Sequence, residues 1–195
     1  MVQLGTADVS DERVDVGNGV SVPRSWTAVL RGEPDVPGTI RVHVAFDRRL
    51  GRGAASVVSV EREGEGDEVT SLTLREVRVQ AALQASGLKV STVVDGAQRS
   101  ESGAAYLRRM RERSERTAAE NVNDAAVIYR LAAAVNLPPL KTVADCLSVS
   151  QSTATRLMNR ARIDGLAAGI RLPDAEATGP ITGGHGPTPS GPSIN

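Results

Sequence analysis

The chain has 195 residues, 23 basic against 23 acidic side chains, a single cysteine (Cys146) and only 2% aromatic residues. That length accommodates one ordinary domain or two small ones, and one thiol excludes an intrachain disulfide framework or a cysteine-rich zinc site. No apolar run approaches the length of a bilayer span, and residues 1–10 lack the basic stretch and apolar core of a signal peptide, so the chain reads as cytoplasmic.

The zero net charge hides an uneven distribution. Residues 1–97 carry 11 basic and 14 acidic side chains, 98–162 carry 11 and 6, and 163–195 carry 1 and 3. Local rather than net charge governs attraction to phosphates, so the basic middle segment is where a polyanion would be met. With four aromatic side chains in all, the core must be built mainly from Val, Leu and Ala.

In chain order, residues 1–20 are polar and read as a flexible arm. Trp26, Ala28 and Leu30, then Ile40, Val42, Val44 and Phe46, alternate with polar positions, the period of half-buried strands. Turns are expected at 47–53 and 64–67, with strands at 54–62 and 69–74. Residues 75–86 read as a helix ended by Gly87 that covers one sheet face, and 88–94 as a further strand. The result is an α+β fold, in which an antiparallel β-meander and a covering helix occupy 21–97. Residues 98–120 are rich in Arg, Glu and Ala and read as a solvated connecting helix. A helical unit over 121–168 opens at a cap on Asn123, buries Val127, Leu131 and Val135, and breaks at Asn136 and Pro138-Pro139. The tail, 169–195, has Gly and Pro in place of large apolar residues and reads as disordered.

Function concentrates in 140–159. Val143, Leu147, Val149, Ala154 and Leu157 are apolar where two short helices must pack, and Ala144 is small where they cross. Ser148 falls in the tight turn and Ser150 is placed to cap the second helix. The spacing predicts helices over 141–147 and 151–162, with Gly165 ending the second.

The stretch VADCLSVSQSTATRLMNRA resembles the helix-turn-helix of bacterial and phage regulators, within a trihelical unit covering under a quarter of the chain. It departs from that pattern at Ser148, where the family usually has glycine. The layout as a whole is similar to small actinobacterial and actinophage proteins. The resemblance implies that the second helix enters the major groove of double-stranded DNA. Gln151, Ser152, Thr155, Arg156 and Asn159 would then contact bases, Gln and Asn suiting adenine and Arg suiting guanine. Lys141, Thr142, Arg160 and Arg162 would contact phosphates, extended along the backbone by Arg108 and Arg109 and by Arg111, Arg113 and Arg116.

No catalytic set, metal cluster or phosphate loop is visible, so neither an enzyme nor a cofactor is expected. His43 reads as solvated, His185 as isolated in the tail, Cys146 as packed beside the motif and Trp26 as a core anchor. The function expected is that of a sequence-specific transcriptional regulator acting by operator occupancy. Self-association or a protein partner would fall to the N-terminal domain, and no membrane is involved. The alternatives are a protein–protein interaction module and an accessory subunit of an integration or replication complex.

Overall fold

A computed structural model describes residues 2–34, 36–65, 68–96 and 98–168. Its elements run β1 (Gln3–Ala7), β2 (Arg13–Gly17), β3 (Val20–Pro23), β4 (Ser25–Arg31), β5 (Thr39–Asp47), β6 (Arg52–Glu61), α1 (Ser71–Glu76), α2 (Val79–Val90), β7 (Thr92–Val94), β8 (Ser100–Ser102), α3 (Gly103–Glu112), α4 (Ala118–Ala134), α5 (Pro139–Leu147) and α6 (Gln151–Ile163). The strands form two antiparallel four-stranded sheets, in the orders β1-β4-β5-β6 and β2-β3-β7-β8, so the fold is α+β.

The first sheet follows directly from its alternation. Trp26, Ala28 and Leu30 of β4 stand opposite Val44, Val42 and Ile40 of β5, and all six are buried with Ala82 and Leu83 of α2. The Trp26 indole N–H donates to the Ser86 hydroxyl at 2.9 Å, which satisfies the one polar atom of an otherwise apolar side chain. Gly53 leaves the room this ring needs, since a Cβ there would sit 2.9 Å from it.

The second core is helical. Tyr106, Leu107 and Met110 of α3 pack with Ala125, Ile128, Leu131 and Val135 from the α4 region, with Val143 and Cys146 of α5, and with Ala154, Met158 and Ala161 of α6. Val20 of β3 and Val93 of β7 belong to the same cluster. The line expected at 97/98 therefore does not separate two cores. Polar bonds also cross it: Arg130 of α4 donates to the Val16 carbonyl at 2.8 Å and to the Asn18 side chain, and Gln84 of α2 donates to the Asn136 carbonyl at 2.8 Å.

Several expectations fail, each for a physical reason. The polar start of the chain is not an arm. β1 pairs with β4 along five residues, and β2 pairs with β3 across Asn18-Gly19, both at positive φ. Asn-Gly is the pair a two-residue hairpin turn demands. Residues 69–74 are not a strand, because a Thr70–Thr73 capping box starts α1 there. Gly87 does not end a helix: it lies inside α2, where a Cβ would come within 3.1 Å of Val135, so it permits close contact with the α4 end. Of 88–94, only Thr92–Val94 is strand.

The connecting helix over 98–120 is instead β8, then α3, which ends at Glu112. It is not a solvated helix, since Tyr106, Leu107 and Met110 are each at most 2% exposed. α4 is capped not by Asn123 but by Thr117, in a reciprocal capping box with Glu120. The buried stripe of Val127, Leu131 and Val135 is as expected. The expected disordered tail, with His185, lies outside the described residues.

Candidate nucleic-acid interface

α5 opens with Pro139, whose missing N–H is one the first turn leaves unpaired in any case. It buries Val143, Cys146 and Leu147 and stops at Ser148, which lies in the left-handed region at φ 54, ψ 43. There the Val149 amide turns back onto the Ala144 carbonyl at 3.0 Å, which pairs an otherwise orphan helix-end group. Ser150 then caps α6, its hydroxyl accepting from the Thr153 amide at 3.1 Å. Gly165, at φ 76, ends α6 with the same device, the Leu166 amide reaching the Ala161 carbonyl at 2.8 Å. The two helices and their turn thus match the expected spans within two residues.

Inward, α6 presents Ala154, Met158 and Ala161 at helical spacing, all fully buried. Outward, it presents Gln151, Ser152, Arg156, Asn159, Arg160 and Arg162, all exposed, with Thr155 half-buried. The Thr155 hydroxyl donates to the Gln151 carbonyl at 3.0 Å, and Arg156 donates to the Thr153 hydroxyl at 3.2 Å. From Gln151 to Ile163 the helix contains no carboxylate. Its one nearby acid, Asp164, pairs with Arg160 at 3.0 Å.

The expected phosphate contacts divide. Lys141 is exposed and, among the described residues, pairs only with Asp145, at 2.9 Å. Surface pairs of this kind are worth at most about 1 kcal/mol, so Lys141 and Arg160 can exchange a carboxylate for a phosphate at little cost. Arg162 is exposed and has no carboxylate within ion-pair distance among the described residues, and the same holds for Arg108 and Arg111 of α3. Thr142, however, is a correction. It is 7% exposed, and its hydroxyl donates to the Pro138 carbonyl at 2.8 Å, so it belongs to the helix start rather than to a ligand.

Arg109 is a second correction. Its guanidinium donates twice to Glu101, at 2.8 and 2.5 Å, lies 3.4 Å from Asp95, and sits over the Tyr106 ring at 5.2 Å. A cation so surrounded is already neutralised. Arg113 and Arg116 are held likewise, by Glu120 and Asp124. The Arg116 side chain is only 7% exposed.

Burial pushes the Cys146 thiol up, which disfavours the thiolate a nucleophile needs. His43 is engaged with Thr27 at 3.2 Å rather than simply solvated. Among the described residues no group of three His, Cys, Asp or Glu is placed to hold a metal ion, and no helix is long and apolar enough to cross a membrane.

Comparison of the chain with family models, with curated proteins and with solved structures returned no match.

Proposed function

We propose that the chain binds double-stranded DNA in a sequence-dependent way, with α6 lying in the major groove, and that it acts as a transcriptional regulator by occupying an operator. One observation carries this reading. Two short helices are joined through a left-handed Ser148 and a capping Ser150, so that α6 turns a face of Gln151, Ser152, Thr155, Arg156 and Asn159 to solvent with no carboxylate among them. Those side chains can read base edges, Gln and Asn through paired bonds to adenine and Arg through paired bonds to guanine. Lys141, Arg160, Arg162 and Arg108 would hold the backbone and set register without choosing sequence.

In this reading the α4–α6 region, about 121–168, is a trihelical helix-turn-helix unit, and the β4-β5-β6 meander with α2 is the module that meets a partner or a second copy. A symmetric dimer would present two α6 helices to half-sites one helical turn apart, roughly 34–36 Å. β6 is an edge of its sheet, with Val57 and Val58 exposed.

The test is selection of bound fragments from the genomic DNA of the source in about 150 mM salt, where specificity ratios are meaningful. Wild type is run beside Arg156→Ala/Asn159→Ala. A shared site that the double variant loses is the expected result. Equal enrichment by both proteins, or none by either, overturns base reading by α6. In that case the helical unit is a protein-docking module, or an accessory part of a DNA-processing complex that selects DNA by structure.

A further inference from the structure

The turn between β5 and β6 reads Asp47-Arg48-Arg49-Leu50-Gly51-Arg52. Its one acid is committed to the backbone: the Asp47 carboxylate accepts the amides of Arg49 at 2.8 Å and Leu50 at 3.0 Å. Arg48 and Arg49 are exposed. Neither has a carboxylate within ion-pair distance among the described residues, unlike Arg24, Arg31 and Arg41 in the same sheet region, which are all paired. Two adjacent cations at a hairpin tip, with the local acid turned inward, repel each other unless an anion joins them.

The tip is also held in place. Arg52, at its base, donates to the Asn136 side chain at the end of α4, and the Asn136 carbonyl receives Gln80 at 3.1 Å and Gln84 at 2.8 Å. A cleft of about 540 Å³ separates the tip from α4, with Phe46, Tyr129 and Arg130 in its walls. Arg130 reaches past α4 to the carbonyl of Ala168, just beyond α6. Burial pushes the Tyr129 hydroxyl up, and the charge of Arg162 on α6 pulls against it. The tip therefore faces, across this cleft, an α4 side chain that itself reaches the segment following α6. The acid lining that cleft, Asp15, accepts the Gly17 amide at 2.8 Å.

Placement decides what such a surface would meet. In the proposed arrangement the N-terminal half of the 13-residue α6 contacts bases, and groups beyond its C-terminal end would meet the sugar-phosphate backbone.

We infer that Arg48 and Arg49 in the β5–β6 turn form a second contact, with the backbone phosphates of the same duplex that α6 reads. The inference rests on the DNA-binding reading above and adds a separate surface to it. A contact with phosphates strengthens binding to every sequence alike and carries none of the sequence choice.

The experiment measures the affinity of the full chain for a mixed-sequence 40-base-pair duplex over a range of salt concentrations. Wild type, Arg48→Gln/Arg49→Gln and Arg48→Lys/Arg49→Lys are compared, with thermal melting of each as the folding control. Each phosphate neutralised contributes about 0.9 to the log–log salt slope. The Gln pair should lower the slope by roughly two while melting like wild type, and the Lys pair should restore it, because the slope counts charges. A wild-type slope in the Gln pair overturns this contact and leaves α6 untouched. A Lys pair as shallow as the Gln pair overturns it too, since the loss would then not follow charge. Absence of salt-dependent binding by wild type overturns both this inference and the reading beneath it.

Discussion

At the junction of α3 and α4, Arg109, Arg113 and Arg116 lie against Glu101, Asp95, Glu120 and Asp124, and the Arg116 side chain is all but buried. On α6, Arg156 and Arg162 lie in the open with no carboxylate within ion-pair distance among the described residues. The residue type is the same and both stretches contribute to one basic segment of the sequence. In the first place arginine is structural: it neutralises acids that the helical core has brought out of water. In the second it is held out with its charge unspent. A charge count over 98–162 cannot tell the two apart, because the difference lies in which carboxylates the fold delivers to each guanidinium. An attraction to phosphate should therefore be counted from the unpaired cations alone.

The largest effect that would break this contrast is loss of Asp124. Its carboxylate serves both Arg113 and Arg116, and the buried Arg116 Nε, 3.4 Å from it, makes no hydrogen bond among the described residues, so this ion pair is what compensates it. Asp124→Asn keeps the shape and leaves a buried guanidinium without its counter-charge. That loss costs stability, and relief of the burial of the Asp124 carboxylate itself offsets part of it, so the urea midpoint should fall by the equivalent of about 2 kcal/mol. A loss below about 1 kcal/mol would mean that water reaches the cluster, and that α3 resembles α6 after all.

Arg156→Ala gives the opposite profile. The side chain is exposed and, among the described residues, bonded only to Thr153, so stability should stay within about 0.5 kcal/mol of wild type. Affinity for a selected duplex should fall roughly tenfold or more, as expected for one base contact worth about 1–3 kcal/mol. Unchanged affinity with an unchanged fold would assign Arg156 to the solvated surface.

The same contrast separates what was legible from what was not. The α5–α6 unit could be read from the sequence because its signals are local. Ser148, Ser150 and Gly165 set backbone and caps within a few residues of where they stand, and Val143, Ala154 and the apolar stripe behind them need no distant partner to be recognised. β4 and β5 were legible for the same reason, since a period of two is visible in seven residues. The burial of α3 was not, because Tyr106, Leu107 and Met110 look sparse until α4 and α5 arrive to cover them. Arg109 as a phosphate contact failed likewise: its partners Glu101 and Asp95 come from β8 and the loop before it. The β2–β3 hairpin is a different case. Asn18-Gly19 between valines was a signal in plain view, outweighed by the polarity of the residues around it. The expected turn at 47–53 is present, but that Asp47 turns onto the backbone and leaves Arg48 and Arg49 without a carboxylate among the described residues depends on the folded geometry.

Ser148→Gly is a smaller and sharper test of the α6 side. A non-glycine residue in the left-handed region costs about 1 kcal/mol or more, while glycine gives back part of that through its freer unfolded chain. The net expectation is a gain of roughly 0.5 kcal/mol, read as a higher urea midpoint, with DNA affinity unchanged. A loss of stability would show that the serine side chain supports the turn, and that the left-handed geometry is not what limits it.

The smallest effect sharpens the α3–α4 side by pH. Glu120 accepts the Thr117 amide at 2.7 Å and pairs with Arg113, and these contacts hold its carboxyl well below the ordinary value of 4.5, at about 2. A carboxyl depressed in the folded state adds stability that is fully present above pH 4.5 and is lost as pH falls from there toward 2. Asp124 runs the other way. Burial pushes its carboxyl up, against the pull of Arg113 and Arg116, so protonation of Asp124 is easier in the folded chain and offsets part of the acid loss. Glu120→Gln keeps the capping hydrogen bond and removes the titration. The variant's melting temperature should therefore fall less steeply than that of wild type between pH 4.5 and 2.5, a window set by the two ends of the Glu120 shift. The difference should be modest, because the carboxylate is exposed and solvent screens its pairing with Arg113. Identical slopes would mean that Arg113 leans on Asp124 alone, and that the ion cluster of α3 and α4 is confined to its buried half.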